Sequence, residues 1–241
     1  MAAAPATSAS GLNGPVQTTT DPGRAARALA DGHLAALPTE TVYGLGARAD
    51  LPAAIARVYA AKGRPADHPL IVHVAGPEAL GVWAQRIPDY ALALAARFWP
   101  GPLTLVLPRT DRAGDYITGG QDTVALRVPS HPDMRRVLHQ LAELTGDPAI
   151  GIAAPSANRF GRVSPTTAQH VAAELSGYLD PDDVVLDGGP SDVGVESTIV
   201  DCTGPAPVVL RPGSVSADDI EQTTRMHLAT KSDVRAPGTL E

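Results

Sequence analysis

Apolar and polar positions alternate along the chain with periods that predict short helices and strands. The Asp-Pro pair at 21–22 is typical of a helix start, because aspartate caps the first turn and proline fits its first position, and Gly32 is placed to end that helix. The pattern predicts helices over about 22–31, 52–62, 77–85, 88–98, 132–144, 166–175 and 217–226, and strands over 33–37, 70–74, 103–107, 123–128, 150–154, 184–186, 197–201 and 208–210. Because helices and strands intermix and the later strands lack regular helical crossovers, we expect an α/β fold: one domain with a mixed β-sheet flanked by helices.

The two ends of the chain differ in composition from this central part. Residues 1–20 are rich in Ala, Thr, Ser, Pro and Gly and contain no charged side chain. They lack the basic start and the continuous apolar stretch of a secretory signal, and the arginines of a transit peptide. We therefore predict a flexible N-terminal tail over 1–20, a single domain over 21–226 and a C-terminal tail over 227–241.

Charge and cysteine content narrow the function classes. The formal net charge is −7, with 26 acidic and 19 basic residues, which argues against nucleic acid as the main ligand because such proteins usually carry a basic face. A single cysteine, Cys202, excludes an internal disulfide and a cysteine zinc cluster. Since no apolar run approaches the roughly 20 residues of a membrane span, we expect a cytoplasmic protein without membrane contact.

Chemistry-bearing residues concentrate in strings that lie between the predicted elements. Each string puts hydroxyl, amide or cationic groups beside glycine or proline at the end of a strand, where open α/β sheets commonly bind ligands. The strings are PTETVYGLG (38–46), KGR (62–64), PLIVH (69–73), WPGPLT (99–104), PSAN (155–158), GVEST (194–198) and LRPG (210–213).

In their order, and nearly in their spacing, these strings resemble the YrdC-type threonylcarbamoyl-adenylate synthases over about residues 34–213. The resemblance implies a YrdC-like twisted mixed sheet with a large, concave, positively charged cavity. It implies a nucleotidyltransferase that joins L-threonine, bicarbonate and ATP, with Mg²⁺, into threonylcarbamoyl-adenylate and pyrophosphate. The product would pass to a separate tRNA threonylcarbamoyl transferase for the threonylcarbamoyladenosine modification of tRNA, with weak or no direct tRNA binding.

The resemblance also implies roles for individual residues. The signature tetrad, taken as catalytic, is matched by Lys62, Arg64, Ser156 and Asn158. ATP-binding candidates are Arg64, His68, Thr123, Asn158, Ser164, Thr166 and Arg211. Threonine-binding candidates are Thr41, His73, Arg127, Ser156 and Ser197. His68 stands where some relatives have asparagine, and both side chains can donate a hydrogen bond.

The residue types themselves agree with an anionic ligand but leave alternatives open. Lys62 and Arg64 lie at a predicted helix end, and in a loop both cations could turn toward one triphosphate. The alternative is a solvated surface pair, which is the more common role of an isolated Lys-x-Arg sequence. Arg127 lies among strand apolars and needs a partner, either a substrate carboxylate or a buried acid. Glu40 and Glu196 are candidates to help hold magnesium, or Glu40 to pair with a cation, so no metal ligand is assigned.

Other readings of the strings are weaker. Residues 44–49 fit the looser dinucleotide-binding pattern G-x-G-x-x-A, which must follow a strand directly and open a helix. Here residues 39–43 lie between the predicted strand and the pattern, and residues 50–52 separate the pattern from the next helix, so we reject this interpretation. Ser156 lacks the G-x-S-x-G elbow, and no Walker A string occurs. The alternatives kept are a carbamoyl-transfer enzyme of the YrdC-like superfamily, which the chain length disfavours, and an RNA-binding module. Residues 236–240 resemble the start of the linker that leads to a second domain in long family members.

Overall fold

Ten strands and eight α-helices make up the regular structure of residues 16–238, the part of the chain that the computed structural model describes. The strands are β1 (Gln17–Thr19), β2 (Ala35–Leu37), β3 (Gly44–Arg48), β4 (Ile71–His73), β5 (Leu103–Pro108), β6 (Thr123–Arg127), β7 (Ile152–Ala153), β8 (Val184–Leu186), β9 (Thr198–Asp201) and β10 (Val208–Arg211). The helices are α1 (Pro22–Ala30), α2 (Pro52–Lys62), α3 (Leu80–Trp83), α4 (Asp89–Phe98), α5 (Asp115–Thr118), α6 (Pro132–Thr145), α7 (Ala168–Leu175) and α8 (Ala217–Thr224), with 3₁₀ turns at Pro77–Ala79 and Ser176–Tyr178.

Local sequence signals account for several helix ends. The side chain of Asp21 accepts a hydrogen bond from the backbone N–H of Gly23 (2.8 Å) and so caps α1. Helix α2 ends at Lys62 because Gly63 takes a left-handed conformation, with φ of 61°, which glycine adopts without steric cost. These termini agree with the sequence-based predictions.

The strands form one mixed sheet in the order β1-β8-β2-β3-β7-β4-β6-β5-β9-β10. Strands β4 and β6 run parallel, as do β5 and β9, whereas β3 and β7, β4 and β7, and β5 and β6 pair antiparallel. The predicted mixed sheet in an α/β fold is therefore confirmed.

Helices cover both faces of this sheet. Successive strand residues point to opposite faces, and Ile152 and Ala153 of β7 accordingly fall in two separate apolar clusters. Ile152 packs with α1 and α6 through residues such as Leu29 and Leu138. Ala153 belongs to the larger cluster, which contains buried residues of α2, α4, α7 and α8.

Several parts of the described chain differ from the sequence-based predictions, among them the short helix α5 (Asp115–Thr118), which was not predicted. Gln17–Thr19 form β1 and pair with β8, so the predicted tail over 1–20 is wrong for these residues; residues 1–15 lie outside the described part. The glycine-rich string at Gly44–Arg48 is strand β3, which explains why it is no dinucleotide loop. A side chain at Gly46 would come within 2.8 Å of Ile152, so this strand needs glycine to pack there.

The C-terminal segment up to Gly238 packs against the domain. Ser232 donates a hydrogen bond to the Asp201 carboxylate (2.6 Å), and Arg235 donates one to the carbonyl of Gly119 (2.8 Å). Ala236 is buried against strand residues such as Val106 and Ile199. Within residues 16–238, no helix combines the length and the apolar character required to cross a bilayer.

Candidate functional site

Six of the seven strings singled out in the sequence contribute residues to one cavity that is partly open to solvent, and its volume with that open space included is about 860 Å³. Strands β4, β6 and β10 end at this cavity. The loops that precede β3 and β9 and the loop that follows β7 also line it. Ten of the predicted site residues line it: Thr41, Lys62, Arg64, His73, Arg127, Ser156, Asn158, Ser164, Ser197 and Arg211.

Lys62 is held at the end of α2 rather than in a loop. Its side chain is 2% exposed, and Nζ donates hydrogen bonds to the backbone carbonyls of Ser156 and Asn158. A lysine ammonium has three donors, so two are used here and one remains for a ligand. Burial, followed by the charge of Arg64, lowers the pKa of Lys62 to about 7. The expectation that Lys62 lies in a loop is therefore wrong, and the alternative of a solvated surface pair is not realised for this residue.

Arg64 follows Gly63 and is also buried. Its Nη2 donates to the carbonyl of Pro69 (2.9 Å), and its guanidinium lies 6.0 Å from the centre of the Phe160 ring. Nε of Arg64 has no hydrogen-bond partner among the described residues. Burial lowers the pKa of this guanidinium from its ordinary value, which reflects how little water surrounds it.

The loop after β7 holds the side chain of Asn158 through its Nδ2 atom and leaves its Oδ1 atom without a hydrogen-bond partner among the described residues. Nδ2 of Asn158 donates to the carbonyls of Arg159 (2.8 Å) and Arg162 (2.7 Å). Its buried Oδ1 has no partner in the described part of the chain. Because a buried acceptor is costly when unpaired, this atom is a candidate to receive a donor from a ligand.

At another part of the cavity Arg127 is paired from within the protein. Its Nη2 lies 2.8 Å from Oε1 of Glu40, its Nη1 donates to Oγ1 of Thr41 (3.1 Å), and its Nε donates to the carbonyl of Gly101 (3.2 Å). Oε2 of Glu40 accepts the backbone N–H of Ser130 (3.2 Å). The alternative of a buried acidic partner is thus realised, while Arg127 still faces the cavity.

His73, the last residue of β4, lies beside Arg127 in register on the neighbouring parallel strand β6. Burial, reinforced by the Arg127 charge, lowers the pKa of His73 to about 3. The imidazole is therefore neutral near pH 7, and its Nδ1 is buried without a partner among residues 16–238. A neutral ring with an unused nitrogen can accept or donate a hydrogen bond to a polar ligand group.

Arg211 at the end of β10 connects the two groups of predicted ligand residues. Its Nη2 donates to the carbonyl oxygen and Oγ of Ser197 (2.9 and 3.1 Å), and its Nε donates to the same carbonyl (3.0 Å). Ser197 Oγ also shares a hydrogen bond with Oγ1 of the buried Thr104 (2.8 Å). A predicted nucleotide residue therefore contacts a predicted threonine residue directly.

The profile of the Sua5/YciO/YrdC family, described as "Telomere recombination", matches residues 27–213. The chain belongs to this family. It is 48% identical over 221 residues to the threonylcarbamoyl-AMP synthase of Pyrococcus abyssi (strain GE5 / Orsay), covering 89% of this chain and 62% of that protein. It is 44% identical over 207 residues to the threonylcarbamoyl-AMP synthase of Bacillus subtilis (strain 168), covering 85% and 57%.

Among solved structures, the fold matches the crystal structure of P. abyssi Sua5 complexed with L-threonine. The TM-score is 0.80 at 44% identity, and the match covers 92% of this chain and 66% of the other. The chain thus spans about three fifths of the length of these two family members.

In this member of the Sua5/YciO/YrdC family, three predicted ATP-binding residues do not line the cavity. His68 borders a neighbouring hollow, although its ring contacts that of Phe160, with centroids 5.4 Å apart. Thr123 opens β6 opposite Pro108, and Thr166 uses its carbonyl to accept the N–H of Ser191 (2.9 Å).

Sequence reasoning missed several lining residues. Thr39 organises the loop before β3, because its Oγ1 accepts the N–H groups of Thr41 and Val42 (both 3.2 Å). Its place in the PTET string was the available signal. Phe160 and Arg162 also line the cavity, and no local pattern distinguishes them from ordinary loop residues.

The donors present fit a magnesium ion that enters with a nucleotide. Within residues 16–238, no three His, Cys, Asp or Glu side chains gather in a way that could hold a metal ion. Glu196 does line the cavity. Mg²⁺ is usually held by one or two carboxylates together with substrate phosphates. The Glu196 carboxylate and the phosphate oxygens of a nucleotide would therefore be suitable ligands for this ion.

Proposed function

We propose that the chain is a threonylcarbamoyl-AMP synthase, a nucleotidyltransferase that uses L-threonine, bicarbonate and ATP. The observation that carries the proposal is the hydrogen-bonded contact between Arg211 and Ser197. Both residues line the one cavity that Arg127, Lys62 and Arg64 also line, so the polar and the cationic parts face the same space, as a reaction between an amino acid and a triphosphate requires. The names of the two relatives and the threonine-bound structure support the same activity.

Around Arg127 the lining suits an amino acid. Arg127 offers a guanidinium to the carboxylate, although Glu40 already takes part of its charge. Thr41, His73 and Ser197 add short polar groups that can reach the threonine hydroxyl and amine. The unpartnered Nδ1 of His73 supports a ligand contact, since buried polar atoms are rarely left unpaired.

The pocket around Lys62 suits a nucleotide. Lys62, Arg64 and Arg211 supply cations in positions fixed by backbone carbonyls, and such preorganised charges stabilise developing phosphate charge without reorganisation. Asn158 contributes a free acceptor. Mg²⁺ bound with ATP would neutralise the leaving pyrophosphate, and Glu196 is the residue that would hold it.

The reaction proposed needs no covalent enzyme intermediate. Bicarbonate loses hydroxide to give carbon dioxide, and the threonine amine adds to that carbon dioxide and loses a proton, giving N-carboxy-threonine and water. A carboxylate oxygen then forms a bond to the α-phosphorus of ATP while the bond to the β-phosphate oxygen breaks, and pyrophosphate leaves. The protein's part is in-line positioning and cationic stabilisation. We further propose that this occurs in the cytoplasm and that a separate transferase carries the product to tRNA.

The direct test is pyrophosphate release with each substrate omitted in turn. We expect release only when ATP, L-threonine and bicarbonate are all present, and much less when Lys62 or Arg64 is replaced by alanine, since one preorganised donor is worth on the order of 10²–10³ in rate. Pyrophosphate that appears equally without threonine would refute the synthase proposal. Turnover that requires carbamoyl phosphate would instead support the carbamoyl-transfer alternative.

A further inference from the structure

The cavity lining is cationic, with a single carboxylate in it. Among the described residues that line the cavity, the cations are Lys62, Arg64, Arg127, Arg162 and Arg211, and the one carboxylate is Glu196. The charge of Glu196 raises the pKa of Lys62 and of Arg64, against the larger effect of their burial. Glu196 is therefore close enough to influence the cations that are proposed to bind phosphate.

Glu196 is bonded to two residues predicted to bind ATP. Its Oε2 is paired with Nη1 of Arg211, and its Oε1 accepts a hydrogen bond from Oγ of Ser164 (2.7 Å). Nε and Nη2 of Arg211 are committed to Ser197, and Nη1 also donates to the carbonyl of Pro237 (3.3 Å), so Glu196 supplies the negative charge among the protein partners of this guanidinium. Glu196 thus occupies the groups that an incoming triphosphate would need.

The contrast with Glu40 indicates that this contact can be exchanged. The Glu40 side chain is 8% exposed and is held by Arg127 and by the backbone of Ser130. The Glu196 side chain is 34% exposed. The Arg211 side chain is only 15% exposed, but water can reach the Glu196 carboxylate and stabilise its charge if a competing anion displaces it from Arg211.

We infer that Glu196 is a specificity-determining residue that makes the site select the metal complex of ATP over metal-free ATP. The inference rests on the proposed function. A metal-free triphosphate brings its full negative charge against Glu196 and must displace the carboxylate from Arg211 without offering it a new cationic partner. With a divalent cation present, the released carboxylate gains the cation as a new partner, because Mg²⁺ accepts one carboxylate together with phosphate oxygens.

The test is a calorimetric titration of a non-hydrolysable ATP analogue into wild-type protein and Glu196→Gln, each with Mg²⁺ and with a chelator. Glutamine keeps the size of the side chain and removes its charge. We expect Glu196→Gln to bind the metal-free analogue on the order of tenfold more tightly than wild type, since a repulsive charge is removed. We also expect the affinity gained on adding Mg²⁺ to fall by a similar factor or more.

Two control variants separate this role from a structural one. Ser164→Ala removes one hydrogen bond to Glu196 but keeps its charge, so metal-free binding should not tighten. Glu143→Gln changes an exposed glutamate on α6, which is not among the lining residues, and both affinities should stay at wild-type values. Thermal unfolding of each variant checks that it is folded.

The outcomes are distinct. Weaker binding of Glu196→Gln in both conditions, or equal changes with and without Mg²⁺, would overturn the inference and leave the synthase proposal standing. Failure of the wild-type protein to bind the analogue in either condition would overturn the proposed function, and the inference with it. Tighter metal-free binding together with unchanged or weaker binding in Mg²⁺ would support both.

Discussion

Arg127 and Glu40 form a buried ion pair, with Nη2 and Oε1 2.8 Å apart. The same guanidinium donates to Thr41 and faces the cavity. Arg127 therefore has an internal counter-charge before any ligand arrives, and Glu40 orients it. This arrangement links the stability of the protein to the proposed amino-acid site.

Replacing Glu40 with alanine should destabilise the protein by roughly 3–5 kcal/mol, because it leaves a buried charge without compensation. Urea unfolding measures this change. Glu143→Ala, at an exposed position on α6, is the matched control and should stay within about 0.5 kcal/mol of wild type. A loss no larger than the control's would mean that Arg127 is adequately solvated without Glu40.

Acid should weaken the same ion pair. Burial alone would raise the pKa of Glu40, but the Arg127 charge and the hydrogen bonds it accepts leave that pKa lowered from 4.5. A carboxyl whose folded pKa is depressed contributes stability above its unfolded pKa and loses it as the pH falls through the folded value. Unfolding free energy should therefore drop below about pH 4.5, and Glu40→Ala should flatten that drop.

Nucleotide binding should be coupled to protonation of Lys62. Its pKa of about 7 in the free protein means that the amine is largely neutral at pH 8, whereas bound phosphate favours the ammonium form. We expect proton uptake on ATP binding at pH 8, and affinity that falls by up to about tenfold per pH unit above 7. Calorimetry in buffers of different ionisation enthalpy measures the uptake.

Lys62→Arg is the control for this coupling, because arginine stays charged throughout this pH range. The variant should bind without proton uptake from this position, whatever its affinity. Undiminished uptake in Lys62→Arg would assign the proton to another group.

The amino-acid pocket should prefer threonine to serine and serine to valine. Thr41, His73 and Ser197 line the cavity with polar groups, and valine would leave some of them unpaired. Such sites can discriminate by ~10⁴-fold or more, whereas the methyl group absent from serine is worth roughly 10–200-fold. Values of kcat/KM for the three amino acids test the order. Preference for valine over serine would show that the pocket reads shape alone.

Direct binding of tRNA should be weak at physiological salt. The net charge is −7, and two cations of the cavity, Lys62 and Arg127, are poorly placed for a folded RNA because they are only 2% and 3% exposed. Non-specific binding depends on neutralised phosphates and collapses with salt. Filter binding at two salt concentrations measures it, and a submicromolar Kd would favour the RNA-binding alternative.

Local sequence signals were sufficient for most elements and for the residues that gather at the cavity. The Asp21 cap, the Gly63 stop and the apolar strands correspond to features of the structure because capping and periodicity act over a few neighbouring residues. Polar strings at strand ends likewise contained eight of the predicted residues that line the cavity, and the family resemblance added Arg127 and Ser164. The short strand β1 and the glycine-rich strand β3 gave no such signal, since each is specified by the strands that pair with it.

Only the tertiary structure decided which groups are paired and which are free. Glu40 and Arg127 lie far apart in the chain, and their contact depends on the loop before β3 reaching the end of β6. Burial of Lys62, and the packing of Ala236 against the sheet, also follow from distant segments meeting. Side-chain type and spacing record what a residue can do, but its charge state and available donors depend on desolvation and partners, which exist only once the chain has folded.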